Sequence, residues 1–166
     1  MIENLIVRNA EGKDAEEILL LVKEVMEEAP YFPRTADEFN FTTEQEAEYI
    51  EKAALFLVAE VEGKIVGSAT LDRSTLSKLN HIVTFGITIS KAYCGQGIGS
   101  LLMKKVIEWS ELKGVEKIDL EVFENNTSGI ALYKKFGFLE EGRKRKAIKT
   151  KEGYRDLVLM GRFLND

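Results

Sequence analysis

The segment best equipped for chemistry is Cys94-Gly95-Gln96-Gly97-Ile98-Gly99-Ser100. It joins an apolar stretch, residues 80–90, to an amphipathic one that opens near Ile98 and runs to about Lys113. Glycines at 95, 97 and 99 let the backbone come close to a ligand and turn its amides outward. The first amides of a helix have no partner within it and lie at the positive end of its dipole, so loop and helix together form a seat for an anion. The phosphates of a cofactor suit such a seat. A P-loop is excluded, because no Lys-Ser or Lys-Thr follows the glycines. A dinucleotide fingerprint fails too, since its third glycine would fall at position 100 and not at 99. Glu121 does stand at a suitable distance for a ribose contact, yet too little chain follows the loop for a doubly wound sheet. A purely structural turn is the remaining alternative.

Other chemistries find little support. The chain has one histidine (His81) and one cysteine (Cys94), far from any metal-ligand spacing, so no metal site is expected. A lone cysteine excludes an internal disulfide and fits a reducing, cytoplasmic setting. The start, Met1-Ile-Glu-Asn-Leu-Ile-Val-Arg8, does not read as a signal peptide, and no apolar run approaches a membrane span. A net charge of −5 argues against nonspecific nucleic-acid binding and leans toward cationic substrates. The basic run Arg143-Lys144-Arg145-Lys146 breaks that trend and reads as a solvated strand or loop face.

The elements that must position the loop follow from periodicity. At 166 residues the chain is long enough for one well-cored domain, 1–166. A strand is expected over Asn4–Arg8. A helix is expected from Ala15 to Glu28, capped by Asp14 with Glu17 in the capping-box position, and ended by Pro30 and Pro33. Thr43 and Glu46 suggest a second cap and box for a helix reaching Lys52. Leu55–Val61 and Ile65–Asp72 form a hairpin around Glu62-Gly63-Lys64. After the central strand and third helix come a strand at Glu116–Phe123 and a short helix at Asn126–Phe136, closed by Gly137. A last hairpin, Phe138–Ile148 with Tyr154–Phe163, turns at Lys151-Glu152-Gly153. The expected fold is mixed α/β: a mostly antiparallel, twisted sheet of about seven strands, with one parallel step across the third helix and about four flanking helices.

That order and two local patterns resemble the GNAT superfamily of acyl-CoA-dependent N-acetyltransferases. Residues 94–99 match its pyrophosphate loop, [RQ]-x-x-G-x-[GA], except that Cys94 stands where the family has Arg or Gln. Residues 126–138, Asn-Thr-Ser-Gly-Ile-Ala-Leu-Tyr-Lys-Lys-Phe-Gly-Phe, match N-x-x-A-x-x-L-Y-x-x-x-G-F, with Gly129 in place of Ala. The first departure removes a side chain from the phosphates but spares the backbone amides. The second lowers helix propensity by about 1 kcal/mol.

The resemblance implies transfer of an acetyl group from acetyl-CoA to an amine. A lysine-like ammonium titrates near about 10.4 and has no lone pair, so a base must take its proton before attack. The departing thiolate needs a proton or other stabilisation, and the developing oxyanion needs a donor. By resemblance, the cofactor arm lies between strands 80–90 and 116–123 and bonds to the backbone of Ile87, Thr88 and Ile89. The pyrophosphate then lies on amides of Gly95, Gln96, Gly97, Ile98, Gly99 and Ser100. Tyr133 matches the family tyrosine and is the expected acid at sulfur, though a packed core tyrosine would look the same. Asn126 is expected to bond to the cofactor arm, to cap the following helix, or both. Glu121 resembles the glutamate base of ribosomal-protein N-terminal acetyltransferases; a solvated strand residue, or a water relay to some other group, are the alternatives. Glu27, Glu28, Tyr31 and Arg34 are expected at the acceptor pocket, again by position in the family.

The acceptor is expected to be a small-molecule amine, of amino-acid or polyamine type. A protein N-terminus or lysine, or a cofactor sensor without turnover, are the alternatives. The C-terminal hairpin is a candidate homodimer surface.

Overall fold

The computed structural model describes residues 2–164. Strands β1 (Leu5–Asn9), β2 (Leu55–Val61), β3 (Lys64–Arg73), β4 (Ile82–Ile89), β5 (Lys117–Phe123), β6 (Leu139–Thr150) and β7 (Gly153–Phe163) form one sheet in the order β1-β2-β3-β4-β5-β7-β6. Helices α1 (Ala15–Glu28), α2 (Thr43–Lys52), α3 (Ile98–Leu112) and α4 (Thr127–Lys135) complete the fold. Every neighbouring pair is antiparallel except β4 and β5. The expected seven strands, four helices and single parallel step are all present. No helix among the described residues is long and apolar enough to cross a membrane.

Strand alternation divides the core between two faces. On β2, Leu55, Leu57 and Ala59 join α3 residues Leu102, Met103 and Val106, with Leu120, Val122, Tyr133 and Phe138 in the same cluster. The intervening Phe56 and Val58 pack instead with Ile18, Leu21 and Val25 of α1 and Ile50 of α2. The sheet is therefore covered on one face by α1 and α2 and on the other by α3 and α4.

The decisive irregularity lies between β4 and β5. Their pairing holds only for Ile82, Val83 and Thr84 against Lys117, Ile118 and Asp119. Beyond that point β4 stays with β3 as far as Ile89, opposite Gly67, while β5 stays with β7 as far as Phe123, opposite Leu157. The two strands thus part at their C-terminal ends and open a wedge in the middle of the sheet.

Two capping expectations need correction. Asp14 precedes α1 but makes no side-chain cap bond. Its carboxylate, only 5% exposed as a residue, accepts from the guanidinium of Arg8 at 2.8 and 3.0 Å and from the amide of Glu11 at 2.8 Å. Arg8 also donates to Glu60 at 2.7 Å, so the ion pair ties β1 to β2 and to the start of α1. Glu17 is drawn away from the cap as well, accepting from the amide of Ile65 at 2.9 Å. For α2 the cap is Thr42, one residue earlier than expected, boxed with Gln45. Glu46, the expected box partner, is buried instead, and burial pushes its carboxyl up.

The Arg8 guanidinium is the largest of the influences that hold the Asp14 carboxyl below its ordinary value. A depressed value in the folded state means that the unfolded chain binds this proton more readily. The contribution is then complete above about pH 4 and is lost as the pH falls through the folded value. Asp14→Asn should flatten the acid limb of the stability profile and, by leaving Arg8 underpaired, cost about 2 kcal/mol at pH 7. Urea unfolding at a series of pH values tests this; a profile parallel to wild type would show that the pair contributes nothing.

Candidate functional site

The glycine loop sits between β4 and α3, and its conformation depends on the glycines. Gly95 and Gly97 adopt φ of +75° and +87°, which residues with a Cβ rarely occupy. Gly97 is the N-cap of α3 with no side-chain cap bond, so the opening amides of the helix have no such partner. Gly99 serves packing instead: a Cβ there would come within 3.1 Å of Leu132, so its absence lets α3 and α4 approach each other.

These residues open on a cavity of about 740 Å³ that occupies the wedge between β4 and β5. Its walls bring together most of the residues singled out from sequence. Ile87, Thr88 and Ile89 come from β4; Gly95, Gly97, Gly99 and Ser100 from the loop; Glu121 from β5; Asn126 and Tyr133 from the α4 region; and Tyr31 from the loop after α1. The others lie elsewhere. Ile98 is 1% exposed in the core, and the Gln96 amide donates to the carbonyl of Ala92 at 3.1 Å. Glu27, Glu28 and Arg34 are exposed and do not line the cavity; Arg34 lies over the ring of Phe41, 5.6 Å from its centre.

Tyr133 is held by aromatic contacts. Its ring meets Phe85 edge-on at 6.1 Å and Phe138 at 5.8 Å, and the residue is 6% exposed. Burial pushes its hydroxyl up to about 12, so the group keeps its proton across the physiological range. Asn126 does act as a cap, accepting from the amide of Gly129 at 3.0 Å. That bond accounts for the glycine at 129: an added Cβ would lie 2.8 Å from the Asn126 amide nitrogen. Glu121 is exposed on one wall, where its carboxylate accepts from the Lys144 ammonium of β6 at 3.1 Å.

Sequence reasoning missed several wall residues. Lys135 lines the cavity and donates to the Ser100 hydroxyl at 3.1 Å, so it delivers a cation to the opening of α3 from another helix. It occupies an unspecified position of the Asn126–Phe138 signature, where no motif could flag it. Phe85, Phe32, Phe123 and Leu157 make up much of the apolar wall, and the edge contact of Tyr31 with Phe123, 6.4 Å between centres, links the loop after α1 to the end of β5. Phe85, Phe123 and Leu157 lie on strands and Phe32 in a loop, and no motif singled them out.

The acetyltransferase (GNAT) family profile matches residues 19–138. The chain belongs to this family. It is an acetyltransferase whose acetyl donor is acetyl-CoA. Among curated relatives it is 35% identical over 107 residues to the L-amino acid N-acetyltransferase AaaT of Escherichia coli strain K12, a match covering 64% of this chain and 66% of that one. It is 34% identical over 82 residues to the [ribosomal protein bS18]-alanine N-acetyltransferase of the same strain, covering 49% and 55% of the two chains. A solved GNAT-family acetyltransferase from Streptococcus pneumoniae superposes with a TM-score of 0.91 at 30% identity, covering 97% of this chain and 99% of the other.

The wedge suits the cofactor on this chain's own features. The edge of β4 beyond Thr84 has no strand beside it on the β5 side, so an amide-rich arm has backbone groups to bond. The α3 opening and Lys135 offer complementary charge to a pyrophosphate. Cys94 adds no charge there. Its thiol points back to the carbonyls of Ser90 and Ile89, at 3.5 and 3.8 Å, and burial, followed by the charge of Glu28, pushes it up. Cys94→Arg should therefore tighten acetyl-CoA binding by about three- to tenfold, equivalent to roughly 0.6–1.4 kcal/mol. Titration calorimetry at low salt measures it; an unchanged Kd would show that position 94 does not reach the phosphates.

Proposed function

We propose that the protein moves the acetyl group of acetyl-CoA to the primary amine of a small molecule, of amino-acid or polyamine type, by direct attack without an acetylated enzyme. The observation that supports this reading is that one cavity is lined at once by the glycine loop, Tyr133 and Glu121. Acetyl-CoA supplies an activated thioester carbonyl. The backbone of Ile87, Thr88 and Ile89 aligns the cofactor arm, and the amides from Gly95 to Ser100, with Lys135 beside them, hold its phosphates. Glu121 takes a proton from the acceptor ammonium at its carboxylate. Tyr133 gives its phenolic proton to the departing sulfur, a role suited to a hydroxyl that stays protonated up to about pH 12.

The acceptor end favours a small molecule. Val25, Tyr31, Phe32, Phe123 and Leu157 give it apolar walls sized for a small side chain, and Tyr31 meets Phe123 edge-on there. The longer of the two curated matches described above is to an enzyme of L-amino acids. The match to the bS18-alanine acetyltransferase supports a second reading, in which a protein N-terminus is the acceptor.

The test is incubation with acetyl-CoA and a panel of polyamines, amino acids and peptides, with products followed by mass spectrometry. Tyr133→Phe should lower kcat by about a hundredfold or more, and Glu121→Gln by a similar factor at neutral pH. The Tyr133 contribution, raised well above the ordinary phenol value, would be lost only as pH rises through about 12, so an alkaline fall near pH 10 must come from another group. Binding of acetyl-CoA with no labelled amine would overturn the transfer reading in favour of a sensor, and labelling of peptides alone would move the acceptor to protein.

A further inference from the structure

The Glu121–Lys144 pair joins the cavity to a second recess. This neighbouring groove, of about 490 Å³, is lined by Thr84, Phe85, Lys117, Glu121, Lys144 and Leu159, among others. Glu121 and Phe85 border both spaces, so the groove meets the cavity at the group proposed as base.

The charges around this junction are not equivalent. Lys117 is 18% exposed at its side chain and is held between Asp119 at 3.0 Å and Glu141 at 2.8 Å, which leaves that trio internally committed. Glu121 and Lys144 have each other as their ion-pair partner among the described residues, with side chains 49% and 58% exposed. A pair that exposed contributes between zero and about 1 kcal/mol, so a ligand able to satisfy both charges separates it at little cost. Lys144 is also well placed along the hairpin. It is registered opposite Leu157, which is registered opposite Phe123, and both of those are walls of the cavity. The β6–β7 ladder becomes irregular immediately after Lys144, which frees the strand there from regular pairing.

We propose that this pair reads the two charges of a free α-amino acid: Glu121 takes the ammonium and Lys144 takes the α-carboxylate, while the side chain rests on the apolar wall of Val25, Tyr31, Phe32, Phe123 and Leu157. The inference rests on the acetyl-transfer reading above and narrows its acceptor. A polyamine would set a second ammonium against Lys144, with Asp119 already engaged by Lys117. A peptide N-terminus carries a neutral amide where the carboxylate should be and leaves Lys144 without a partner.

The experiment compares kcat and KM for the common L-α-amino acids, each beside its α-amide and its decarboxylated amine, in wild type, Lys144→Met and Lys144→Arg. Wild type should prefer at least one apolar amino acid over its amide by about tenfold or more in kcat/KM, through KM, as expected for one charge-assisted contact. Lys144→Met should bring that ratio close to one, and Lys144→Arg should restore most of it. Equal use of acid and amide by wild type, or a preference that survives Lys144→Met, overturns the assignment. If polyamines or peptides are acetylated and no α-amino acid is, this inference falls while acetyl transfer to amines stands. If acetyl-CoA binds and no amine is labelled, the parent reading falls and takes this one with it.

Discussion

Three residues of pairing between β4 and β5 decide how the sheet opens. A parallel pair needs a crossover, here α3, and the crossover fixes where the strands start side by side without forcing them to remain so. Each strand has a stronger commitment on its other side: β4 runs antiparallel to β3 over residues 83–89, and β5 runs antiparallel to β7 over its whole length. The sheet therefore opens without losing either half. The cost is a row of strand backbone facing the gap, and buried amides and carbonyls must find partners. A cofactor arm carrying amides would answer that need, so the defect in the sheet and the proposed donor site are one feature seen from two sides.

Electrostatics at the wide end of the wedge has a similar economy of parts. The α3 opening presents amides on a loop that only glycine at 95 and 97 accommodates readily. The arginine or glutamine of the family pattern is absent from position 94, and a cation reaches the loop from α4, as Lys135 on Ser100. That arrangement depends on Gly99, whose missing side chain lets the two helices meet at Leu132. One small residue thus keeps the glycine loop and Lys135 in reach of each other.

The periodicity of the chain announced the strands, helices and parallel step, because burial on alternate or every-third-or-fourth positions leaves a clear pattern. The caps were less legible. Asp14 has the composition of a cap, but Arg8 lies across the β1–α1 corner and competes for its carboxylate, a tertiary preference that local spacing does not record. At the site, the glycines were readable, since Gly95 and Gly97 take a backbone conformation that other residues rarely adopt and Gly99 leaves room for Leu132. Side-chain partners were not. Glu121 could be named, but its lysine lies 23 residues away on the last hairpin and appeared in sequence only as part of a basic run. Glu27, Glu28 and Arg34 sat in the right stretch of chain, but the last turn of α1 leaves Glu27 and Glu28 exposed, and Arg34, in the loop beyond, lies over Phe41.

In the proposed transfer, position alone does not make Tyr133 the acid. A hydroxyl driven up to about 12 by burial is a poor base at neutral pH, because almost none of it is ionised. As an acid it is also weak toward water, yet a thiolate leaving a thioester has an ordinary value near about 8.5 and gathers its charge inside the same low-dielectric wall. Burial that penalises the phenolate penalises the naked thiolate as well, so transfer between them depends on how the two are hydrogen-bonded and not on their values in water. The aromatic contacts from Phe85 and Phe138 restrain the ring, as the proposed transfer of its proton over a short, fixed distance would require. Phe85 belongs to β4 and Tyr133 to α4, so the contact that restrains the ring also joins that strand to that helix.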